Sequence, residues 1–449
     1  MQLCEDGICD SKGIPADIIS KRERSKGMSE QRNLIVGLDL CNDYTQMSCY
    51  NSRTFEPESV SMSPDRAKYL IPTVLGVKND SKEWIFGEDA VSLHDKQAGV
   101  LVDNLIMKLE KELETEIFGV TFQPAALLEK YLRKCLQLLK VYHPTNSIQK
   151  IVITLKNNSE KVTDSMYAAL LSLGIDRDRA HVQSHMQSYQ YYALSQPKEL
   201  WMNDIGLFEF DESGLIYHQI TVNRKTHPHI VGMIDKDFSG TLSFDMLEEL
   251  KGSENLEYIF ENIANSILFK QVVSTVYVTG IGFEGDWADN VLKELCAGRR
   301  VFKGQNLYTK GACYAAKEMT GEHKLEDYLF LSNEMIMSTF LIEGYYDAKQ
   351  TEIVLAKAGT PWYDVDERLD LILDNEEAVT ITIHDVMKRE SVTHTLKLTG
   401  LTKRPNRVTR LELRLKFLSR NSAAISVKDK GFGEFYPSTN RIWEKEIKL

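Results

Sequence analysis

The 449-residue sequence is short of the features that mark several large classes of protein. Its most apolar stretch, Val272–Phe283, is well below the roughly 18 residues that a membrane-spanning helix needs. The seven cysteines form no Cys-x-x-Cys pair, so neither a zinc ribbon nor a disulfide scaffold is indicated. A formal net charge of -11 disfavours a broad nucleic-acid surface, and no apolar signal segment is seen near the start. These absences favour a cytoplasmic globular protein without nucleic-acid or membrane partners.

The composition is that of an ordinary globular chain, with 43% hydrophobic and 27% charged residues. Residues 1–32 are polar and charged, and we expect a flexible leader there, with Met28 as a second possible start. From residue 33 to about 325, strand-like apolar runs alternate with segments of helical period, which predicts an α/β domain. From residue 326 to 449 short strands are separated by turn residues, which predicts a separate all-β domain.

Five segments of the first domain show this alternation of strands and helices. Leu34–Leu40 is typical of a buried strand, and Thr45–Tyr50 follows as the second strand of a hairpin. Ile151–Leu155 predicts another buried strand. Apolar residues recur with helical spacing from Leu256 to Ile267, and the strand Thr275–Thr279 then runs into a glycine-containing loop. Strands followed by helices in this order are typical of a parallel or mixed sheet.

The first of these strands ends in Asp39-Leu40-Cys41-Asn42-Asp43-Tyr44-Thr45. This segment resembles the first phosphate hairpin of the actin and heat-shock-chaperone ATPase superfamily, specifically of the DnaK-type chaperones. The aspartate and the final hydroxyl are present, whereas Cys41 and Asn42 stand where the family has glycine and threonine. Farther on, Ile71-Pro72-Thr73-Val74 and then Trp84–Ala90 resemble two further family segments in the same order.

The second phosphate loop of that family is similar to Phe210-Asp211-Glu212-Ser213-Gly214 in this chain. An alternative register would use Asp204-Ile205-Gly206, but it leaves the apolar residues that follow unexplained. The adenosine side resembles the turn at Gly280 and Gly282. Gly304–Ala316 resembles the helix of small residues that closes the nucleotide domain.

The resemblance implies an α/β fold in which a two-lobed actin/DnaK-like ATPase domain, residues 33–325, precedes an all-β sandwich, residues 326–449. It implies ATP or ADP with Mg²⁺ as cofactors, Asp39 and Asp211 being the magnesium and catalytic carboxylates. Nucleotide contacts are implied for five further residues, namely Asn42, Thr45, Gly214, Gly280 and Gly282. The sandwich resembles a chaperone substrate-binding domain without its lid, so a protein or peptide client is the implied partner.

Two elements of the family's catalytic machinery have no counterpart in the sequence. The water-orienting glutamate should precede an alanine-rich helix, but Val182–Ser188 holds no acidic residue at that place. No lysine has motif support as the cation on the γ-phosphate. We therefore expect nucleotide binding with weak or no hydrolysis, in a chaperone-like or regulatory role. The alternative is a pseudo-ATPase scaffold that acts only through protein contacts.

Three other features have a plainer interpretation beside a functional one. Asp235–Ser243 matches much of a calcium-binding EF-hand loop but has Met246 at the last ligand position, which favours a surface turn. The basic run between Lys403 and Arg420 is more typical of a solvated strand face than of a nucleic-acid patch. Cys41 lies where a phosphate would pass, and a small buried residue is favoured over a reactive thiol.

Overall fold

The computed structural model describes residues 33–62, 68–144, 146–156, 158–250, 254–322, 324–332, 335–346, 349–387 and 390–449. The expected leader, residues 1–32, lies outside them. The fold is mixed α/β and divides into two compact units. The first holds the described residues up to Gln219 and Asp235–Leu325, and the second holds Ile220–Ile234 and Glu326–Leu449. The sequence pattern also changes near residue 325, but it contains no signal that Ile220–Ile234 groups with the C-terminal part.

The first half of the first unit is built from eleven described strands and four described helices. In chain order they are β1 Leu34–Leu40, β2 Tyr44–Asn51, β3 Glu56–Val60, β4 Ile71–Pro72, β5 Leu75–Lys78, β6 Trp84–Phe86, α1 Glu88–Asp95, β7 Gly99–Val102, α2 Leu105–Lys111, β8 Thr115–Ile117, β9 Val120–Phe122, α3 Pro124–Tyr142, β10 Ile148–Leu155, α4 Glu160–Ser172 and β11 Ala180–Ser184.

The chain continues with helices and strands up to Glu322, two of the strands being shared with the second unit. They are α5 His185–Leu194, β12 Asp204–Asp211, β13 Gly214–Asn223, β14 His229–Asp237, α6 Asp245–Glu249, α7 Glu254–Leu268, β15 Val273–Thr279, α8 Asp289–Leu295, β16 Arg300–Lys303 and α9 Leu307–Lys317. Short 3-10 turns cover Lys198–Trp201 and Ile281–Phe283, and a π turn covers Glu318–Glu322.

The first large sheet has the strand order β3-β2-β1-β10-β11. The strands β1, β2 and β3 are antiparallel neighbours, whereas β1, β10 and β11 run parallel. Side chains alternate between the two faces of a strand, so Leu34, Val36, Leu38 and Leu40 enter a core shared with α3 and α4. Ile35 points to the other face and packs against α9. The same alternation places Asp39 on the face that carries α9.

The second large sheet contains the same order, β14-β13-β12-β15-β16, and a sixth strand at Tyr328–Phe330 pairs with β14. The strands β12, β15 and β16 run parallel, and a two-residue loop joins β12 to β13, a connection that suits only antiparallel neighbours. Phe208 and Phe210 of β12 enter a core shared with α7 and α8. On the opposite face, Tyr189 and Tyr192 of α5 make edge contacts with Tyr277 of β15.

Close contacts join α9 to the first sheet and to α5. A Cβ atom at Gly311 would lie 1.9 Å from the Ser188 carbonyl oxygen of α5, and a Cβ atom at Gly37 would lie 2.2 Å from the Thr309 carbonyl oxygen. Glycine is required at both positions because the backbones approach so closely. The small residues of α9 therefore serve close helix packing.

The second unit contains the last described strands, which are β17 Tyr328–Phe330, β18 Ser338–Tyr346, β19 Lys349–Ala356, β20 Asp366–Ile372, β21 Ala378–Asp385, β22 Glu390–Lys397, β23 Arg410–Ser419, β24 Ser422–Gly431 and β25 Ile442–Lys448. Eight of them form two four-stranded antiparallel sheets, β19-β18-β21-β22 and β20-β23-β24-β25. Both sheets contribute to one apolar core, which includes Phe340, Ile381, Leu413 and Ile425. None of the helices among the described residues is both long enough and apolar enough to cross a bilayer.

Candidate functional site

A cavity of about 350 Å³ lies in the first unit where β1, β10 and β12 reach their carboxyl ends. Its size falls in the range usual for small-molecule sites, roughly 300–1,000 Å³. Asp39 of β1 and Asp211 of β12 both line it, as do Asn42 and Gly280. The structure therefore brings together four of the seven residues that the sequence resemblance selects.

Asp39 is paired with a histidine that the sequence analysis did not select. His185 Nε2 lies 2.7 Å from Asp39 Oδ1, and both side chains are buried. His185 is the first residue of α5, and a capping box between Ser184 and Gln187 fixes the start of that helix. Burial alone would lower the pKa of His185, but the negative charge and the hydrogen bond of Asp39 outweigh it and raise that pKa. The ring of Tyr308 stacks on the imidazole with 4.0 Å between centroids.

Cys41 completes a three-residue cluster with Asp39 and His185. Its Sγ atom lies 3.7 Å from Asp39 Oδ1 and 3.7 Å from His185 Nε2. Burial, and then the negative charge of Asp39, raise the pKa of the thiol well above its ordinary value, so Cys41 is a neutral thiol at neutral pH. Within the part of the chain that the structure describes, this is the one cluster of cysteine, histidine and acidic side chains with metal-ligand spacing.

The opposite wall of the cavity is built around Asp211 and Lys156. Lys156 follows β10, and its Nζ atom donates to Asp211 Oδ2 and to Ser213 Oγ, both at 2.5 Å. The other carboxylate oxygen of Asp211 accepts the Ser213 amide at 2.8 Å, which holds the turn after β12. Partial burial lowers the pKa of Lys156, but the charge of Asp211 outweighs this effect, so the pKa of Lys156 is raised overall. Lys156 is therefore a charged lysine that lies in a position to contact an anion in the cavity.

A cluster of one histidine and two carboxylates adjoins this wall, in which Glu209 and His218 are buried and Asp235 is exposed. His218 donates from Nε2 to Glu209 at 3.2 Å and from Nδ1 to Asp235 at 2.7 Å. Burial opposes the charged form of both Glu209 and His218. The hydrogen bond from His218 nevertheless lowers the pKa of Glu209 to about 2, and the hydrogen bonds to Asp235 and then to Glu209 raise the pKa of His218 to about 9. The Glu209 carboxylate is therefore ionised and held in place where it faces the cavity.

The glycine turn beside the cavity is held by two glutamines. Gln305 accepts the Gly280 amide at 3.1 Å and donates to the Gly280 carbonyl at 2.8 Å, and Gln46 donates to the Gln305 carbonyl. Gly280 has φ +102°, and a Cβ atom there would lie 2.2 Å from the Phe210 carbonyl oxygen. The need for glycine at this position thus comes from the approach of β12. Gly282 packs against the Phe210 ring in the same way and does not line the cavity.

Three more of the predicted nucleotide contacts have their own partners in the fold. Asn42 lines the cavity, but its Oδ1 atom accepts the Met107 amide in the first turn of α2. Thr45 is fully buried and hydrogen-bonds to Thr73 at 2.8 Å, away from the cavity. Gly214 has φ +93° in the turn between β12 and β13 and is likewise absent from the cavity wall. The structure does not bring Thr45, Gly214 and Gly282 to the site.

The cavity is strongly acidic. Six carboxylates line it, those of Asp39, Asp43, Glu110, Glu209, Asp211 and Glu212. Lys156 is the one lysine or arginine among the lining residues. The charge of Asp43, then burial and the charge of Asp211, raise the pKa of Glu212, as expected where like charges crowd together. A polyphosphate would be repelled here unless it arrived with a cation.

Three buried polar atoms of the lining residues have no hydrogen-bond partner among the described residues. They are His185 Nδ1, Gln46 Oε1 and the Tyr308 hydroxyl. The Tyr308 hydroxyl lies near Glu209, whose charge adds to burial in raising the pKa of Tyr308, but it makes no hydrogen bond of ordinary geometry there. Buried polar groups are rarely left unpaired, so these atoms are available to a ligand.

Calcium binding at Asp235–Ser243 and a nucleic-acid patch on the basic strand are not supported by the structure. Asp235 and Asp237 lie on the strand β14, where an EF-hand would need an entering helix, and Asp235 is bound to His218. In the second unit, Arg410 and Arg414 of β23 pair with Asp370 and Asp366 of β20. The segment Asp235–Ser243 is the end of β14 followed by a surface turn. On the basic face of β23, Arg410 and Arg414 are neutralised by the aspartates of β20.

Comparison with known proteins gives families rather than functions. Residues 335–449 match a model described as a domain of unknown function, DUF8552. No curated protein matches the chain. Residues 56–333, more than half of the sequence, match a model described as the C-terminal part of the family of unknown function DUF5716. That match includes α5 and β12 and so most of the cavity wall, and on it the chain belongs to the DUF5716 family.

Proposed function

We propose that this chain is a DnaK-like nucleotide-binding protein that takes up ATP or ADP with Mg²⁺ in the cavity between Asp39 and Asp211. The architecture supports this proposal. Each large sheet has two antiparallel strands on one side of its first strand and two parallel strands on the other. Two sheets of similar order, each with a carboxylate at the end of its first strand, are compatible with the two lobes that the resemblance to actin and DnaK implies.

The single observation that carries the proposal is the position of the two carboxylates. Asp39 lies at the end of the first strand of one sheet, and Asp211 ends the first strand of the other. Both line the same cavity, although 172 positions separate them in the sequence. Carboxylates are preferred ligands of Mg²⁺, which usually binds through one or two of them together with substrate phosphates.

The groups around the cavity favour binding over hydrolysis. His185 stands where the resemblance calls for a water-orienting glutamate, and its Nε2 atom is already hydrogen-bonded to Asp39. That hydrogen bond occupies Nε2, so this nitrogen is not free to accept a proton from an attacking water. Lys156 supplies the positive charge that the sequence analysis could not assign. We therefore expect turnover below about one per minute, against roughly 1–100 s⁻¹ for kinases.

The alternative proposal is a pseudo-ATPase scaffold, and one observation favours it. Asp39 and Asp211 already have protein partners, His185 and Lys156, which would have to release them to a metal–nucleotide complex. Under either proposal the two four-stranded sheets of the second unit, which resemble a lidless substrate-binding domain, are the candidate site for a protein or peptide client. A chaperone-like or regulatory role follows from that assignment.

Isothermal titration calorimetry with ADP and ATP, with and without Mg²⁺, tests the proposal on the full chain. We expect saturable binding that requires Mg²⁺, because the cavity is acidic. Asp39→Asn and Asp211→Asn should each weaken binding roughly tenfold or more, which corresponds to about 1.4 kcal/mol. Release of phosphate is measured on the same samples, and turnover above the stated limit would show that a catalytic group had been overlooked.

The chain offers a matched control for Asp211. Asp237 also ends a strand and also accepts the amide of the serine two residues on, at 2.8 Å, but it does not line the cavity. Asp237→Asn should therefore leave nucleotide binding unchanged. Absence of binding heat at millimolar nucleotide with a folded wild-type protein would contradict the proposal and favour the scaffold. Equal weakening by all three substitutions would count against a specific site.

A further inference from the structure

We infer that Asp39, Cys41 and His185 form a binding site for a thiophilic divalent metal ion of the zinc type, with an open coordination position that faces the cavity. The three ligand atoms are Asp39 Oδ1, Cys41 Sγ and His185 Nε2. They come from the end of β1, from the loop after it and from the start of α5. Metal binding does not depend on the proposed nucleotide, whereas a role for the metal in holding a phosphate would rest on the proposed function.

The geometry of the cluster is close to that of a zinc centre. Zn–S bonds of about 2.3 Å and Zn–N and Zn–O bonds of about 2.0–2.1 Å place sulfur about 3.6 Å from the other two ligands in a tetrahedron. Cys41 Sγ lies 3.7 Å from Asp39 Oδ1 and 3.7 Å from His185 Nε2. The same tetrahedron needs about 3.3 Å between the nitrogen and the oxygen. Asp39 Oδ1 and His185 Nε2 lie 2.7 Å apart. To bind the metal, they would lose their mutual hydrogen bond and move apart by about 0.6 Å.

The set of donors indicates which metal ions fit. A thiolate and an imidazole favour zinc and related transition ions, whereas Mg²⁺ and Ca²⁺ take oxygen ligands. Three protein ligands with a fourth position open is the pattern of reactive zinc centres, in contrast to the closed four-ligand structural sites. On binding, the Cys41 thiol releases its proton to solvent as the metal–sulfur bond forms. The His185–Asp39 hydrogen bond breaks, and Nε2 gives up its proton to solvent so that the neutral ring is protonated at Nδ1.

The surroundings of the cluster are consistent with a cation there. Asp39 and His185 are more than nine-tenths buried, and acidic residues outnumber the single lysine on the cavity wall. The Tyr308 ring lies flat on the imidazole and restricts its orientation. His185 Nδ1 has no protein partner among the described residues, so it can carry the proton that the metal-bound tautomer requires. A divalent ion at this point would supply the positive charge that a phosphate in the cavity needs.

Titration of the chelator-treated full-length protein with Co²⁺, in the absence of nucleotide and of any affinity tag, tests the inference. Cobalt reports its ligands: a thiolate gives a near-ultraviolet charge-transfer band, and four-coordinate geometry gives intense visible bands. We expect both signals to saturate at one equivalent of Co²⁺ and to disappear when Zn²⁺ is added. Because nucleotide is absent, this result is independent of the calorimetric test of the proposed function.

Variants assign the ligands. Cys41→Ser should abolish the charge-transfer band, and His185→Gln should weaken metal binding by more than the roughly 10- to 100-fold typical of an outer-shell partner. Glutamine can keep the hydrogen bond to Asp39, so His185→Gln tests coordination with little disturbance of the fold. Cys49→Ser, at a buried free cysteine of β2 outside the cluster, is the control that should retain the band.

The inference is overturned by a wild-type protein that gives no charge-transfer band at millimolar Co²⁺. It is equally overturned by a band that survives in Cys41→Ser, or by one that is lost in Cys49→Ser while the protein remains folded. Thermal unfolding with and without Zn²⁺ provides a second measurement that needs no sulfur signal. The wild-type midpoint should rise with Zn²⁺, and the His185→Gln midpoint should not.

Discussion

At the scale of single residues, the cluster of Glu209, His218 and Asp235 has the clearest consequences for charge. Its hydrogen bonds fix an ionised carboxylate at the cavity wall. They also link the stability of the first unit to pH, because the pKa of His218 is raised to about 9 and that of Glu209 is lowered to about 2. A group whose pKa differs between the folded and unfolded states changes the free energy of unfolding with pH.

The sign of each contribution follows from the direction of the shift. The stabilisation from His218 is fully present below its ordinary pKa of 6.5 and is lost as the pH rises through about 9. The stabilisation from Glu209 is fully present above its ordinary pKa of 4.5 and is lost as the pH falls through about 2. His218→Gln should therefore lower the free energy of unfolding by on the order of 3 kcal/mol near pH 6 and by far less near pH 10, at about 1.4 kcal/mol per pKa unit.

Urea unfolding at both pH values measures this difference. His94→Gln, at an exposed histidine of α1, is the control and should show little change at either pH. A His218→Gln penalty that is the same at pH 6 and pH 10 would contradict the assignment of a charged His218.

Two arginine–aspartate pairs of the second unit differ mainly in exposure. Arg404 and Asp429 are joined by two hydrogen bonds of 2.8 and 2.7 Å, and their side chains are 3% and 0% exposed. Arg407 and Asp374 form a comparable pair on the surface. Asp429→Asn should destabilise by about 3–5 kcal/mol, because it leaves a buried arginine charge unmatched. Asp374→Asn should cost less than about 1 kcal/mol. Chemical denaturation of the two variants checks this, and equal costs would contradict it.

The sequence allowed some of the site residues to be predicted and not others. Asp39 and Asp211 could be selected because each lies at the end of an apolar strand, in a segment that resembles a phosphate hairpin of the family. Lys156 and His185 could not, because their roles depend on partners 55 and 146 positions away. The available signals were weak: a lysine directly after the strand that contains Ile151–Leu155, and a histidine where an acidic residue was expected. Side-chain pairing across a fold is not encoded in any local pattern.

At the scale of elements, α9 is the helix whose placement the cavity most depends on. It packs on β1 and against α5, and it carries Tyr308. Gly311 allows the approach to α5, since a Cβ atom there would lie 1.9 Å from the Ser188 carbonyl oxygen. In a helix without such a contact, replacing glycine with alanine is favourable by about 1 kcal/mol. The sign of the stability change in Gly311→Ala therefore shows whether the close contact between α9 and α5 is present.

Gly311→Ala should destabilise the protein by at least about 1–3 kcal/mol, the range typical of overpacking. Gly240→Ala is the control, because nothing lies within 4 Å of a Cβ atom at that position and Gly240 has no positive φ. Thermal unfolding of both variants gives the comparison. A more stable Gly311→Ala protein would mean that α9 and α5 are not in contact as described.

Elements with a strong apolar period were the most predictable. The strand predicted at Leu34–Leu40 has these bounds in the structure, and the helix predicted from Leu256 to Ile267 spans Glu254–Leu268. Strands are also present in residues 326–449, where the sequence predicted them, and alternation marks one buried face in strands such as β23. The grouping of Ile220–Ile234 with the C-terminal part was not predictable, since those residues lie within the long strands β13 and β14 and in the segment between them.

At the scale of the whole molecule, the central claim concerns the first unit, in which two sheets of the same strand order present one carboxylate each to a common cavity. If Asp39 and Asp211 act on the same metal–nucleotide complex, the loss of either should already remove most of what the pair contributes. Substitutions at sites that share a ligand are non-additive, whereas distant independent sites add to within about 0.3–0.5 kcal/mol.

A double-mutant cycle for MgADP affinity, built from Asp39→Asn, Asp211→Asn and the double variant, tests this claim most directly. We predict a coupling free energy of at least about 1 kcal/mol, with the double variant binding little more weakly than either single variant. Strict additivity of the two substitutions, or affinity that neither of them changes, would contradict a shared site.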